Sequence, residues 1–115
     1  MKRAILFFVI LSAVGLYAGS TVYAKPGRCL LVIDGKKYIS GKCDIDMYSD
    51  GTGSFQITEL RKKGAYFAQV LISPGTALSY WNGARDATHA HDPLGEMTRN
   101  GACWQNDRAR ICAWK

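Results

Sequence analysis

Two histidines stand two residues apart in the run Arg85-Asp86-Ala87-Thr88-His89-Ala90-His91-Asp92. On an extended segment such a pair projects to one side of the backbone. Together with Asp86 or Asp92 it offers the donors of a transition-metal site, or a base and the carboxylate that orients it. Arg85 and Arg99 are the nearby cations able to clamp an anion. No serine or cysteine stands in a recognisable nucleophile motif, so an enzyme is the weaker reading. The sequence favours a solvated loop without metal or cofactor, in which Arg85, Asp86, His89, His91 and Asp92 are the candidate partner-binding side chains. Arg99 and Trp81 join that set, because an exposed tryptophan beside arginines is a common form of binding hot spot.

Two other groupings have a chemistry to weigh. Asp44, Asp46 and Asp50 crowd three carboxylates ahead of Gly51 and Gly53. Calcium takes several hard oxygens from one flexible loop, but the standard loop places ligands at alternate positions and closes on a glutamate. Glu59 falls beyond the next strand, so these acids read as a half-exposed strand face and an Asp-Gly turn. The tryptophans Trp81, Trp104 and Trp114 are a heavy aromatic load for so short a chain. At least one belongs in a core and another is left for a surface.

The four cysteines decide compartment and framework. Cys103 and Cys112 sit symmetrically about the Asp107–Arg108 pair, which sets them opposite each other across a hairpin. In that register Trp104 pairs with Ile111 on one face, while Trp114 shares the disulfide face. Cys29 and Cys43 form the second expected pair, brought into reach by a longer loop or by a bulge at Ser40-Gly41. Their spacings do not resemble zinc knuckles. An even number of cysteines in a short exported chain implies disulfides. Export is read from Met1-Lys2-Arg3, the apolar run from Ala4 to Gly19, and Val22-Tyr23-Ala24, a signal peptide at 1–24 cleaved after Ala24.

What remains, 25–115, is expected to be one domain with no membrane span. Setting aside Lys2 and Arg3 leaves 13 basic against 9 acidic side chains, a net charge of +4. That balance favours an acidic partner. The positive residues are dispersed apart from Arg61-Lys62-Lys63 and are not interleaved with aromatics, which argues against nucleic acid.

The elements that would position these residues are strands. Cys29 to Ile33 is an apolar run of strand length, and Asp34-Gly35 is a strong hairpin signal. Lys36 to Ser40 returns, Asp44 to Met47 alternates, and Phe55 and Ile57 alternate with polar neighbours. Tyr66 to Ile72 is nearly all apolar and Thr76 to Trp81 alternates again. Residues 82–100 form a long polar loop, with a short helix at 83–90 or an edge strand at 95–98 as its possible structure. Connections this short suit antiparallel pairing. The expected fold is all-β, a small disulfide-stapled antiparallel barrel or two-layer sandwich of about seven strands.

A stiff exported scaffold with one exposed polar loop suits a protein-binding module. Its concrete forms are an inhibitor, or a subunit docking on another exported protein or an acidic cell-envelope surface. The alternative is a small secreted hydrolase, or a glycan- or metal-binding protein, using the 85–92 loop.

Overall fold

Residues 24–115 are described in the computed structural model of the chain. The signal peptide expected at 1–24 lies, Ala24 apart, outside them. Nine strands follow: β1 (Lys25–Ile33), β2 (Lys36–Met47), β3 (Phe55–Glu59), β4 (Phe67–Ser73), β5 (Thr76–Trp81), β6 (Asp92–Glu96), β7 (Thr98–Asn100), β8 (Cys103–Gln105) and β9 (Ala109–Trp114). They form one antiparallel sheet in the order β6-β5-β4-β3-β2-β1-β9-β8-β7. The two edge strands, β6 and β7, are consecutive in the chain with only Met97 between them. The sheet therefore curls until its edges meet, giving a nearly closed barrel.

Side chains stitch the seam. Asn106 Nδ2 donates to the carbonyls of Leu94 and Glu96 at 2.9 and 3.0 Å, and Arg108 donates to that of Pro93 at 3.1 Å. Inside, the two-residue alternation of each strand points one set of side chains at the axis. Leu31, Ile57, Val70 and Ile111, from four different strands, are wholly enclosed. No helix occurs among the described residues, and none there is long and apolar enough to cross a membrane.

The first hairpin turns on Asp34 and Gly35, both at positive φ (51° and 81°), the geometry that matches the twist of flanking strands. Two expectations need correcting here. The segments read as separate strands at 36–40 and 44–47 are one, β2. Ile39, Cys43 and Ile45 keep the inward alternation across Gly41. The bulge lies at Tyr38 rather than at Ser40-Gly41, since Leu31 faces Ile39 while Val32 faces Lys37.

Both expected disulfides form, with Cα separations of 5.8 Å for Cys29–Cys43 and 4.0 Å for Cys103–Cys112. Cys29 pairs with Gly41 and Gly27 with Cys43, so the first bridge runs diagonally within the barrel core. Cys103 directly opposes Cys112, and Trp104 faces Ile111, as the hairpin symmetry requires. The 82–100 loop is shorter than expected. It yields β6 and β7, its 83–90 part is turns and bends with no helix, and only 82–91 remains a connection. Leu94 and Met97, its sole large apolar residues, are the anchors, 3% and 4% exposed.

One interior group is out of place. Ser79, facing Val70 across β4 and β5, is 1% exposed, and its Oγ has no hydrogen-bond partner among the described residues. An unsatisfied buried hydroxyl costs stability that an apolar replacement recovers. Ser79→Ala is expected to stabilise the barrel by about 1 kcal/mol, read as a higher midpoint in urea unfolding. A loss of stability would mean that the hydroxyl has a partner.

Candidate binding surface at one end of the barrel

Four connections gather at the end of the barrel where β1 finishes: the 34–35 turn, 60–66, 82–91 and 106–108. Most of the sequence-predicted residues lie on the third of these. Its foundation is Asn82, a buried polar residue, 3% exposed, at the end of β5. Asn82 Nδ2 donates to the carbonyls of Ala65 and Ala84 at 2.8 Å and of Ala87 at 3.1 Å. Its Oδ1 accepts from the Phe67 N–H at 3.0 Å. One amide thus fastens the 82–91 loop both to itself and to the start of β4.

Arg85 supplies the second tether. Its Nε and Nη2 donate to Glu59 Oε1 and Oε2 at 3.0 and 2.7 Å, and its guanidinium lies 4.7 Å from the Tyr66 ring centre. Such a fork is stronger than a simple ion pair because two aligned, charge-assisted bonds share one geometry. The backbone follows, with the Ala65 N–H donating to the Arg85 carbonyl at 3.0 Å. Gly64 makes that approach possible, because a Cβ there would lie 2.9 Å from the Arg85 carbonyl oxygen. Arg85, read from sequence as an open anion clamp, is thus committed to Glu59.

The Arg85 hydrogen bonds hold the Glu59 carboxyl below the usual glutamate range, against the opposing effect of its burial. The Tyr66 N–H and the charges of Arg85 and Arg61 add to the lowering. A carboxyl whose pKa is lowered by folding adds stability above its unfolded value, about 4.3. That stability is lost as pH falls through the folded value. Acidification below about pH 4 is therefore expected to loosen the loop in the native chain, seen as faster amide exchange at Ala65 and Tyr66. Glu59→Gln should remove this dependence. If the variant keeps the same acid profile, another group controls the loop.

Trp81 is enclosed, 7% exposed, with its ring 4.6 Å from Tyr38 and 5.8 Å from Tyr66. It supports the loop from beneath rather than standing exposed on the surface. Its sequence setting, between an alternating strand and Asn-Gly, fits a core strand end as well as a surface. The exposed tryptophan is Trp114, at 44%. His89, His91, Asp86 and Asp92 are all exposed, and His89 Nδ1 lies 3.1 Å from Thr88 Oγ1. Among the described residues no hydrogen bond joins either histidine to a carboxylate, and no three metal-binding side chains gather. Beside them Arg61, Lys62 and Lys63 are exposed on the 60–66 connection, with Arg61 Nε donating to the Gly64 carbonyl at 3.1 Å. Arg99 is not part of this surface. It sits on β7, near the opposite end, over Trp104.

Protein-family models, curated proteins and solved structures yield no match to the chain.

Two residues that shape this surface escaped the sequence reading, Asn82 and Glu59. Asn82-Gly83 looks like any strand terminator, and Glu59 is an isolated acid. Their partners lie 17 and 26 residues away at Ala65 and Arg85, a pairing visible only once β3, β4 and β5 are aligned.

Proposed function

We propose that this chain is an exported protein-binding module, acting as an inhibitor or accessory subunit of another exported protein. It presents the 82–91 loop, with the Arg61-Lys62-Lys63 turn beside it, to an acidic surface of that partner. The observation carrying this reading is the combination of an exposed polar loop with a buried anchor, Asn82, and a bidentate tether, Arg85 to Glu59. Association costs about 0.5–1.5 kcal/mol for each side chain it must immobilise. A loop already fixed at its base avoids part of that cost, and like-signed charge beside it speeds encounter with an acidic patch. Two disulfides in so small a domain are consistent with a periplasmic or extracellular setting. A cell-wall hydrolase is one target such a compartment offers.

The test is capture from the exported fraction with the immobilised chain, followed by rebinding of the purified partner. The controls are a chain with 85–92 replaced by Gly/Ser and a Lys62→Glu/Lys63→Glu chain. One stoichiometric partner is expected, lost with the replaced loop, its association rate falling with added salt and with the charge reversal. Equal retention by the loop-replaced chain, with its fold intact by circular dichroism, overturns the proposal. So does a failure to retain any partner.

A further inference from the structure

The opposite end of the barrel is built differently. There β2, β3 and β4 meet the 101–102 turn and the end of β9, and the inward side chains do not fill the axis. They leave a cavity of about 390 Å³, within the roughly 300–1,000 Å³ range of small-molecule sites. Its floor is apolar: Ile45, Phe55, Ile72, Trp104 and Ala113. The charged side chains on its wall are Arg99 and Lys115, and no acidic side chain lines it.

Arg99 is oriented at the mouth of this cavity by two contacts. Its Nε donates to the Gly101 carbonyl at 3.1 Å, and its guanidinium lies 5.9 Å from the Trp104 ring centre. Among the described residues it forms no ion pair, and its two terminal nitrogens donate no hydrogen bond. A guanidinium oriented through Nε, with its outer nitrogens unused at the mouth of an apolar cavity, presents the geometry that meets a carboxylate. The aromatic floor, Trp104 and Phe55, favours a flat ring through offset or edge contacts.

We propose that this barrel mouth is a binding site for a small carboxylate with a planar aromatic body. The ring lies against Trp104 and Phe55 and the carboxylate pairs with Arg99. This site is separate from the 82–91 loop, and either proposal can fail alone.

The probe is 2-naphthoate, compared with 2-naphthalenemethanol, which keeps the ring and lacks the charge. Each is titrated into the chain recovered from the exported fraction, followed by calorimetry and by the indole resonances. One site is expected, shifting the Trp104 indole and sparing Trp81, with naphthoate binding about tenfold tighter than the alcohol. Arg99→Gln should abolish that tenfold difference, chiefly by weakening naphthoate. This substitution on exposed β7 leaves the core untouched. Ala113→Leu, filling the cavity, should weaken both ligands. Absence of saturable binding overturns the proposal, as does equal affinity for the two probes, or naphthoate affinity unmoved by Arg99→Gln.

Discussion

Asn82→Ala is expected to lower the stability of the chain by about 3 kcal/mol and to release the 82–91 loop. The side chain makes its four hydrogen bonds with one acceptor and two N–H groups shared among three carbonyls. Counting about 1 kcal/mol for each of the three hydrogen-bonding atoms in excess of water gives that figure. Water can reach the half-buried partners Ala65, Phe67 and Ala87 after the change, which keeps the loss from being larger. Amide exchange should accelerate at Ala65 and Phe67, while Ile57 and Ile111 in the wholly enclosed core keep their protection relative to the global unfolding limit. Asn82→Asp should be at least as damaging. It retains an acceptor for the Phe67 N–H but turns a negative charge on three carbonyl oxygens. A cost under about 1 kcal/mol for Asn82→Ala would show that the loop is held by something else. The proposed pre-organisation would then fall with it.

Removing the Cys29–Cys43 bridge is the second large effect. Replacing both residues by alanine opens a 15-residue loop, since the cysteines are 14 apart. Chain-entropy estimates put that at about 3 kcal/mol. Both sulfurs also belong to the core cluster, at 2% and 0% exposure, so voids add about 1–2 kcal/mol. The expected total, about 4–5 kcal/mol, is a large share of the roughly 5–15 kcal/mol that holds a typical domain folded. The thermal midpoint should fall by about 20 °C or more. The Cys103–Cys112 double alanine variant provides the comparison. Its bridge closes a shorter loop, with a separation of 9, and lies outside the core cluster. Its cysteines are also buried, at 5% and 0% exposure, so its expected cost is about 3.5–4.5 kcal/mol, the smaller loop term plus similar voids. A larger loss in the Cys103–Cys112 variant would overturn this ordering.

Much of the architecture was legible because it is local. Asp34-Gly35 announces a hairpin through residues that tolerate positive φ, and Cys103 and Cys112 announce another through symmetry about a turn. The strands at 55–59 and 76–81 show themselves by alternation. What escaped is long-range or rests on sparse signals. A stretch as polar as 92–100 carries only Leu94 and Met97 to pin two strands, and their ladder partners on β5 and β8 supply the rest. The candidate surface was legible as a loop but not as a structure. His89, His91, Asp86 and Asp92 were found where exposure was expected. The grouping of Arg99 with them failed, because sequence proximity said nothing of the strand that carries Arg99 towards the other end. Nothing in the alternation at Phe55 or in the hairpin register of Trp104 says that the two border one cavity, which only the closed sheet shows.

The order of the sheet bears on how the chain reaches this state. Seven of its eight ladders join neighbours in the chain, and β1 with β9 is the exception. Between Ile33 and its partner Ala109 lie 75 residues, so bringing those two strands together costs about 4 kcal/mol in chain entropy before any contact repays it. Each disulfide lies within a hairpin that contributes one strand to that meeting: Cys29 on β1, Cys112 on β9. Oxidation can therefore finish on both ribbons while the barrel is still open. Closure is then the docking of two pre-aligned pieces, and the slowest conformational search in the molecule is shortened at both of its ends.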